Sequence, residues 1–189
     1  MFSKVLVANR GEIAVRIIRS LRELGIKSVA IYSTADRDSL HVQLADEAVC
    51  VGGSRPQDSY LNMQNILAAA IGTGAQAIHP GFGFLSENAA FAEMCEACGI
   101  VFIGPKALTI DLMGNKEHAR EQMKKSGIPV IPGSDGYLSN VESAKQAAAA
   151  IGYPVLLKAA AGGGGKGIRR IENQDQMQQA FDEAQSEAR

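Results

Sequence analysis

The 189-residue sequence contains no uninterrupted apolar run close to the roughly 18 to 20 residues that a membrane-spanning helix requires. Its start also lacks a basic region followed by an apolar run and a small-residue cleavage site, so we expect a cytoplasmic protein. Nineteen Lys and Arg residues stand against 20 Asp and Glu residues, a formal net charge of -1. This balance gives no electrostatic reason to expect nucleic acid or an anionic membrane surface as a partner.

Cysteine is scarce, with three thiols at Cys50, Cys95 and Cys98. An odd number of cysteines without an export signal argues against a disulfide framework and predicts reduced thiols. Cys95 and Cys98 form a C-x-x-C pair late in a predicted helix, where the helix dipole opposes a thiolate. Because no second Cys or His pair has metal-site spacing, both thiols are predicted to pack in the interior.

Several short catalytic motifs are also missing from the sequence. It has no G-x-S-x-G, no H-E-x-x-H and no Asp-rich calcium loop, so nothing supports hydrolase or metalloprotease chemistry. The sequence does have a 46% hydrophobic fraction with 21% charged residues, which is typical of a globular protein. At roughly 150 residues per domain, its length predicts one domain and part of another.

The N-terminal part of the sequence alternates strand and helix patterns. Residues 5–8 form an apolar run typical of a strand buried on both faces of a parallel sheet. A helix pattern begins at Glu12 with Gly25 as its stop, and a strand at 28–32 completes a right-handed βαβ unit. Strands are predicted at 48–51, 75–79 and 100–103, and helices at about 60–71 and 86–98. This order predicts a doubly wound α/β domain with a parallel sheet, ending near residues 104–105.

The pattern changes beyond Gly127. A short basic helix at 116–126 is predicted as a connector to a second region. That region has a helix pattern at 141–150, strand patterns at 153–159 and 168–171, and a helix for which Asn173 is the predicted N-cap. Two strands cannot be covered on both faces by these elements, so we interpret this second α/β region as incomplete, through truncation.

Four consecutive glycines at 162–165, followed by Lys166 and Gly167, give the strongest local signal. Ordering so many glycines costs conformational entropy, which is typical of backbone that must approach a ligand closely. A dinucleotide fingerprint would require a helix directly afterwards, and a P-loop would require glycine at Ala160 and Ser or Thr at Gly167. The remaining interpretation is a strand-loop-strand whose backbone N–H groups cover nucleotide phosphates, with a flexible linker as the alternative.

Two lysines accompany this glycine-rich segment. Lys158 lies on the predicted strand that enters the segment and Lys166 lies within it, so both cations could compensate the charge of a polyphosphate. Each one alone is more typical of a surface lysine, and spacing alone gives Lys116 no special role.

A second candidate site follows the strand predicted at 75–79. His79, Phe82 and Gly83 lie between this strand and a helix that should begin near Ser86, with Glu87 in its first turn. Ligand sites of α/β proteins open beyond the carboxyl ends of their strands, as here. For His79 alone, a structural turn in which the histidine caps the sheet is the better interpretation.

One face of the first helix is charged. It carries Glu12, Arg16, Arg19 and Glu23, so Glu12 with Arg16 and Arg19 with Glu23 are candidate same-face ion pairs. The simplest interpretation is a solvated helix face.

Five segments carry a family resemblance: VANRGEIA at 7–14, AIHPGFGFLSEN at 77–88, FIGPK at 102–106, PGSDG at 132–136 and GYPVLLKAAAGGGGKG at 152–167. In this order they resemble the N-terminal part of biotin carboxylase, and the likeness runs nearly end to end. The likeness extends over this length without gaps. In this respect the sequence resembles the biotin carboxylase component of a bacterial acetyl-CoA carboxylase, which acts in fatty acid biosynthesis. Pyruvate, propionyl-CoA and urea carboxylases share the same module.

The resemblance implies an ATP-grasp ligase that uses ATP and magnesium to activate bicarbonate as carboxyphosphate and then carboxylates the ureido nitrogen of carrier-bound biotin. It implies that residues 1–112 are the family's Rossmann-like N-terminal domain and that 113–189 are a linker helix and the start of an ATP-grasp domain. The residues that match the family's phosphate-binding lysines and closing glycine loop are Lys116, Lys158, Gly163, Gly164, Gly165 and Lys166.

The resemblance also implies contacts and partners. The segment with His79, Phe82, Gly83 and Glu87 is similar to a family loop that faces the active cleft. The helix face with Arg16, Arg19 and Glu23 is similar to the family's dimer-contact region, which implies a homodimer of the complete form. The implied partners are the biotin carboxyl carrier protein and the carboxyltransferase subunits.

Some residues depart from the family pattern. Family members often have a fifth glycine at Ala161 and Arg at Lys166, and many have Tyr at Phe82. The magnesium ligands, the catalytic arginine and glutamate, and the bicarbonate and biotin contacts are expected beyond Arg189, so we expect these 189 residues to be inactive alone. We also expect the loop at 162–167 to be mobile without nucleotide.

Three alternative functions remain at this point. The module could belong to pyruvate carboxylase or to another acyl-CoA carboxylase. A non-catalytic dimerisation module would use the face with Arg16 and Arg19. A nicotinamide-dependent oxidoreductase is favoured only by the bare glycine pattern, and the single glycine after the first strand argues against it.

Overall fold

The computed structural model describes residues 1–114, 116–134, 136–158 and 168–187. The chain divides into two compact units, Met1–Asn115 and Lys116–Arg189, called unit 1 and unit 2 below. No helix within the described ranges is both long enough and apolar enough to cross a membrane.

Unit 1 alternates strands and helices along the chain. Its elements are β1 (Lys4–Val7), α1 (Gly11–Glu23), β2 (Lys27–Ser33), α2 (Leu40–Leu44), β3 (Glu47–Gly52), α3 (Met63–Thr73), β4 (Ala77–His79), α4 (Ala89–Ala97), β5 (Val101–Phe102) and α5 (Ala107–Gly114). Short 3-10 turns at Thr34–Asp36 and Pro56–Asp58 follow β2 and β3.

The five strands form one parallel sheet in the order β3-β2-β1-β4-β5. The chain adds β2 and β3 on one side of β1 and then crosses to add β4 and β5 on the other side. This change of direction places a topological switch point between β1 and β4. The doubly wound parallel sheet predicted from the sequence is therefore confirmed.

Both faces of the sheet are covered, which explains the uninterrupted apolar run of β1. Val5 and Val7 pack toward the α1 side with Ala14 and Ile18. Leu6 packs toward the opposite side, in a cluster with residues of α3 and α4. Successive side chains of a strand point to opposite faces, so a central strand with helices on both faces must be apolar at every position.

Two helices of unit 1 begin later than predicted because asparagines cap them. The Asn62 side chain accepts a hydrogen bond from the Asn65 backbone N–H at the start of α3. Asn88 does the same for Phe91 in α4, so Glu87 precedes the helix and is not in its first turn. The sequence interpretation also missed the short helix α2, and it missed α5 because it ended the domain at residues 104–105.

The described part of unit 2 contains helices and a two-stranded sheet. Its elements are α6 (Lys116–Lys125), α7 (Val141–Ile151), β6 (Val155–Lys158), β7 (Ile168–Ile171) and α8 (Met177–Glu187), with a 3-10 turn at Gln174–Gln176. The strands β6 and β7 are antiparallel, and Lys158 lies opposite Ile168. The predicted strand-loop-strand is confirmed in its two strands.

One face of the β6–β7 sheet is covered. Ile171 packs with Ala144 and Ala148 of α7 and with Met177 and Phe181 of α8. On the other face, Leu156 and Ile168 remain 59% and 44% exposed. Asn173 precedes the 3-10 turn and its side chain makes no capping hydrogen bond, so its predicted capping role is wrong.

Candidate functional site

Asn9, two residues after the end of β1, organises the carboxyl edge of the sheet in unit 1. Asn9 is 1% exposed, and its side-chain amide donates hydrogen bonds to the carbonyl oxygens of Pro80 at 2.7 Å and Phe82 at 2.9 Å. Its Oδ1 atom accepts from the backbone N–H of Arg10 at 2.9 Å. One side chain therefore joins the turn after β1 to the loop after β4, across the topological switch point.

Gly81 lies against Asn9 in the middle of that loop. Its backbone has φ +68°, and a Cβ atom placed there would lie 2.7 Å from Asn9 Nδ2 and 2.8 Å from Ile13 Cγ2. Both distances are too short for real contacts. Only glycine satisfies the backbone conformation and the space at this position.

A second group of contacts surrounds Arg10. Its guanidinium carbon lies 5.5 Å from the ring centroid of Tyr60 and 5.9 Å from that of Phe84, within the range of cation–π attraction. The two rings stack with centroids 5.2 Å apart. Phe84 has φ 45°, an uncommon value for a residue with a side chain.

Asp36 accepts several hydrogen bonds in this group. Its Oδ2 atom accepts from the Tyr60 hydroxyl at 2.6 Å, from the Ser33 hydroxyl at 2.8 Å and from Arg10 Nη1 at 3.4 Å. Burial alone would raise the pKa of Asp36, but these hydrogen bonds outweigh it and lower the pKa below its ordinary value. Burial together with the Asp36 carboxylate raises the pKa of Tyr60 to about 12, so this hydroxyl remains a donor.

The residues predicted for the cleft loop lie in this region of unit 1. His79 Nδ1 accepts the backbone N–H of Gly81 at 3.0 Å, and burial lowers the pKa of His79. Phe82 is 76% exposed, and Gly83 has φ 73°. Glu87 is exposed and lines a cleft of about 510 Å³ with Asn88, Ala89, Ile110, Asp111 and Gly114.

The sequence located this loop but missed the residues that shape it. Asn9 is in the turn that ends β1, but its hydrogen-bond partners are 71 and 73 positions away. The sequence signal that could have identified Asn9 was an asparagine shortly after a buried strand. It was accompanied by a glycine at position 81 in a second turn. Asp36 and Tyr60 gave no signal of this kind.

The arrangement at the switch point bears on the nicotinamide hypothesis. In a dinucleotide-binding domain, the crevice between these strands holds the pyrophosphate near a glycine-rich turn. Here the Asn9 side chain bridges the two turns, and α1 begins at Gly11, the only glycine of the β1–α1 turn. This geometry argues against a dinucleotide in unit 1.

The charged face of α1 is exposed, as predicted. Arg16, Arg19 and Glu23 are all exposed. Among the described residues, no ion pair joins Glu12 to Arg16 or Arg19 to Glu23, so the two predicted pairs are absent.

Part of the predicted phosphate site lies in described residues of unit 2. Lys158 is exposed on the outer face of β6, at the last residue of the strand. Lys116 begins α6. Gly163, Gly164, Gly165 and Lys166, and the predicted mobility of 162–167, lie outside the described residues.

Arg120 in α6 organises a nearby segment of unit 2 that the sequence interpretation left unexplained. Its guanidinium donates to the carbonyl oxygens of Ser134 at 2.8 Å, Gly133 at 3.0 Å and Ile131 at 3.3 Å. These carbonyls belong to the turn that contains the PGSDG segment. A single cation thus holds three carbonyl groups within four residues of an exposed segment.

The thiols and acidic residues give no metal centre among the described ranges. No group of three or more His, Cys, Asp or Glu side chains within these ranges could hold an ion. Cys95 is buried and packs in the core, as predicted, and burial raises its pKa to about 12. Cys98 is exposed, so its predicted packing role is wrong.

The doubly wound sheet of unit 1 and the antiparallel strand pair of unit 2, whose strands flank a glycine-rich segment in the sequence, agree with the α/β fold of the ATP-grasp proteins to which the chain is similar in structure. Residues 1–110 match the family "Biotin carboxylase, N-terminal domain", and residues 115–189 match "Carbamoyl-phosphate synthase L chain, ATP binding domain". The chain belongs to the biotin carboxylase family.

Named relatives support this membership. The chain is 56% identical over 188 residues to biotin carboxylase 1 of Bacillus subtilis, covering all of this chain and 42% of that protein. It is 54% identical over 190 residues to the biotin carboxylase of Haemophilus influenzae, with the same coverage. The chain therefore spans about 42% of the length of these relatives.

Solved structures agree with the sequence comparison. A biotin carboxylase of Campylobacter jejuni in complex with β,γ-ATP has a TM-score of 0.90 at 49% identity, covering 100% of this chain and 42% of that one. The biotin carboxylase domain dimer of 2-oxoglutarate carboxylase from Hydrogenobacter thermophilus, with MgADP and bicarbonate, has a TM-score of 0.88 at 54% identity. It covers 100% of this chain and 41% of that one.

Proposed function

We propose that this chain supplies the N-terminal part of an ATP-dependent biotin carboxylase. The proposed reaction activates bicarbonate with ATP and transfers the carboxyl group to a ureido nitrogen of carrier-bound biotin. The observation that carries the proposal is the antiparallel pair β6–β7, in which Lys158 ends β6 and lies opposite Ile168, so that the two strands flank the glycine-rich segment in the sequence. The named complexes of the relatives with MgADP, bicarbonate and β,γ-ATP support the same chemistry.

The proposed nucleotide site uses cations and backbone donors. Lys116, Lys158 and Lys166 would compensate phosphate charge, and the N–H groups of Gly163, Gly164 and Gly165 would bind phosphate oxygens. Such fixed donors stabilise negative charge that develops during phosphoryl transfer. The exposed position of Lys158 fits this role, because its ammonium group can reach a ligand without first breaking a buried contact.

ATP supplies the phosphoryl group in this proposal, and Mg²⁺ would neutralise part of its phosphate charge. The described residues of this chain offer no acidic cluster for the metal. We therefore assign the chain's own residues to the binding of the phosphates and assign none of them to the ion.

We further propose that the loop with His79, Phe82, Gly83 and Glu87 faces the active cleft. Support comes from the exposure of Phe82 and from the position of the loop beyond the carboxyl end of β4. We propose the functional boundary near residue 112, with 1–112 as the N-terminal domain and 113–189 as the linker helix and the start of the ATP-grasp domain.

A chimera tests the proposed reaction. Residues 1–189 would replace the corresponding part of the Bacillus subtilis biotin carboxylase, and ATP cleavage that depends on bicarbonate and biotin would be measured. We expect activity in the unsubstituted chimera and a loss of roughly 100-fold in kcat for Lys158→Ala, as for other removed charge-stabilising donors.

Lys145→Ala is the matched control, because Lys145 lies on α7 of the same unit and has no role in the proposed site. A folded chimera without activity would contradict the proposed function. Equal rates for Lys158→Ala and Lys145→Ala would contradict the proposed role of Lys158.

For the final carboxyl acceptor we propose acetyl-CoA, with the biotin carboxyl carrier protein and carboxyltransferase subunits as partners. A chain named biotin carboxylase subunit of pyruvate carboxylase is 57% identical, and a 2-oxoglutarate carboxylase small subunit is 54% identical. Supplying carrier and carboxyltransferase with acetyl-CoA, pyruvate or 2-oxoglutarate in separate assays tests the choice. Product from either keto acid and none from acetyl-CoA would contradict it.

We also propose that the exposed face of α1, with Arg16, Arg19 and Glu23, contacts a second copy in the complete form. The dimer named for the Hydrogenobacter relative supports this. Sedimentation velocity of the chimera should show a dimer that Arg19→Glu weakens and Lys145→Ala leaves unchanged. A dimer that Arg19→Glu does not affect would contradict the assignment.

A further inference from the structure

The geometry points to Asn9 as a positioning residue that fixes the backbone of the β4–α4 loop, and with it the orientation of Phe82 and Gly83. The inference rests on the proposed function for its catalytic consequence. Its structural part, that Asn9 holds this loop in one conformation, can be tested without any activity.

Both polar atoms of the Asn9 side chain have hydrogen-bond partners in the two turns. Both N–H bonds of its amide point to loop carbonyls, those of Pro80 and Phe82. Its oxygen accepts the backbone N–H of Arg10, which prevents the amide from turning over. Because the side chain is buried, water cannot replace these bonds at low cost.

The loop in turn is shaped to fit Asn9. The carbonyls of residues 80 and 82 can both reach one amide only because Gly81 has φ +68° and presents no Cβ toward Asn9. The Gly81 N–H is held separately by His79 Nδ1. In the first half of the loop, the carbonyls of Pro80 and Phe82 and the N–H of Gly81 are therefore each paired with a side chain.

The second half of the loop is held by the neighbouring residue of the same turn. Arg10 lies over the rings of Phe84 and Tyr60, and it also contacts Asp36. These contacts retain Phe84 at its positive φ. Asn9 and Arg10 thus anchor the loop on both sides of Phe82 and Gly83.

This arrangement leaves Phe82 with its carbonyl held inward and its ring 76% exposed. When an aromatic side chain has few packing contacts, its orientation depends mainly on the backbone to which it is attached. Releasing that backbone should change where Phe82 points while leaving the nucleotide site of unit 2 chemically intact. Misplacement of a group that orients substrate affects the chemical step strongly.

A fluorescence reporter tests the structural part. The sequence contains no tryptophan, so Phe82→Trp gives the 189-residue chain a single tryptophan, on the loop, that can be excited at wavelengths where tyrosine does not absorb. We expect Asn9→Ala in this background to lower the residual fluorescence anisotropy by roughly a third, the difference between ordered and flexible segments. Asn65→Ala is the matched control, because Asn65 also bonds a distant carbonyl, that of Val51, but does not contact the loop.

The catalytic part is tested in the chimera with the native Phe82. The readout is the rate of ATP cleavage with bicarbonate and biotin divided by the rate with bicarbonate alone. This ratio does not depend on the fraction of folded enzyme, so a merely structural defect would not move it. We expect Asn9→Ala to lower the ratio roughly tenfold and Asn65→Ala to leave it unchanged.

Gly81→Ala provides a second route to the same result if Asn9→Ala fails to fold. It perturbs the same contact from the loop side, because a Cβ atom at position 81 would lie 2.7 Å from Asn9 Nδ2. The same fall in anisotropy and in the ratio is expected. Unchanged anisotropy in the folded variants would overturn the positioning role. Lower anisotropy with an unchanged ratio would overturn its catalytic consequence, whereas an inactive unsubstituted chimera would count against the proposed function alone.

Discussion

The hydroxyl group of Tyr60 is shared by two partners although the whole side chain is buried. It donates to Asp36 Oδ2 at 2.6 Å and accepts the Ser33 backbone N–H at 3.0 Å. Tyr60→Phe should therefore leave a buried N–H without a partner and remove a donor from a carboxylate. We expect a loss of about 1–3 kcal/mol in the free energy of unfolding, measured by urea denaturation.

Tyr137→Phe is the control for this prediction. Tyr137 is 65% exposed, so water can solvate whatever its hydroxyl contacts, and we expect a change within about 0.5 kcal/mol. Equal stability of the two variants would show that the Tyr60 hydroxyl contributes nothing.

His79 makes stability depend on pH. Burial lowers its pKa in the folded chain, while in the unfolded chain it protonates near ~6.5. The unfolded state therefore binds more protons, so this contribution to stability is complete above about pH 6.5 and is lost as the pH falls through the lowered folded-state pKa. His41, whose pKa is also lowered by burial, acts with the same sign.

His79→Asn should reduce this dependence. Asparagine can retain an acceptor for the Gly81 N–H but does not titrate. Urea denaturation between pH 7 and 5 should give a flatter decline in unfolding free energy than in the unsubstituted chain. The same slope in both proteins would contradict the assignment of this titration to His79.

At the residue scale, the sequence predicted which positions form the candidate loop but not what holds it. His79 ends a strand, and Phe82 and Gly83 follow it, which is a local signal in the sequence. The hydrogen bonds from Asn9 join residues that only the folded sheet brings together. The ion pairs predicted on α1 failed for the opposite reason, since helical spacing places charges near each other without requiring exposed side chains to meet.

Asparagine side chains cap the N-termini of three described helices. One of these caps gives a prediction about the stability contributed by a single helix. Asn62 in α3, Asn88 in α4 and Asn140 in α7 each accept a backbone N–H three residues later. Asn62→Ala should cost about 1 kcal/mol of unfolding free energy. Asn62→Asp keeps the acceptor oxygen, so we expect its free energy of unfolding to stay within about a few tenths of a kcal/mol of that of the unsubstituted chain. Equal losses in both variants would contradict the capping role of Asn62.

At the element scale, periodicity predicted most strands and helices of the chain. The exceptions are α2 and α5, which were not predicted, and the starts of α3 and α4, and they have more than one cause. The segment of α5, ALTIDLMG, is mostly apolar and has no capping residue, so neither a polar face nor a start signal marks it. The early start predicted for α3 came from residues such as Tyr60, which is buried outside the helix. The early start predicted for α4 included Ser86 and Glu87, which precede the Asn88 cap.

The whole chain contains separate cores for its two units. The clusters around Ile78 and Ile18 consist of residues of unit 1, and the cluster around Phe181 consists of residues of unit 2. Phe181→Ala should lower the free energy of unfolding of unit 2 by about 3–5 kcal/mol. Hydrogen exchange should then accelerate at β7 amides and stay unchanged at β1 amides.

Ile18→Ala is the reciprocal variant, since it opens a cavity next to β1. We expect faster exchange in unit 1 and no change at β7. Acceleration in both units by either variant would show that the two cores unfold together.

At the scale of the whole molecule, the sequence predicted the class of the fold because helices alternate with buried strands and because glycine interrupts a strand pair. The order of the strands follows from the same pattern only in part, since many orders satisfy right-handed crossovers. The position of β1 between β2 and β4 needed the structure.

That position has a consequence for biosynthesis. Of the five strands in the sheet, β1 is synthesised first. One edge of β1 pairs with β2, and its other edge pairs with β4, which is synthesised much later. This edge has no partner until residues 77–79 have left the ribosome. Until then the nascent chain exposes an apolar strand edge that other chains can pair with, so chaperones that shield nascent chains should matter most before that point in translation.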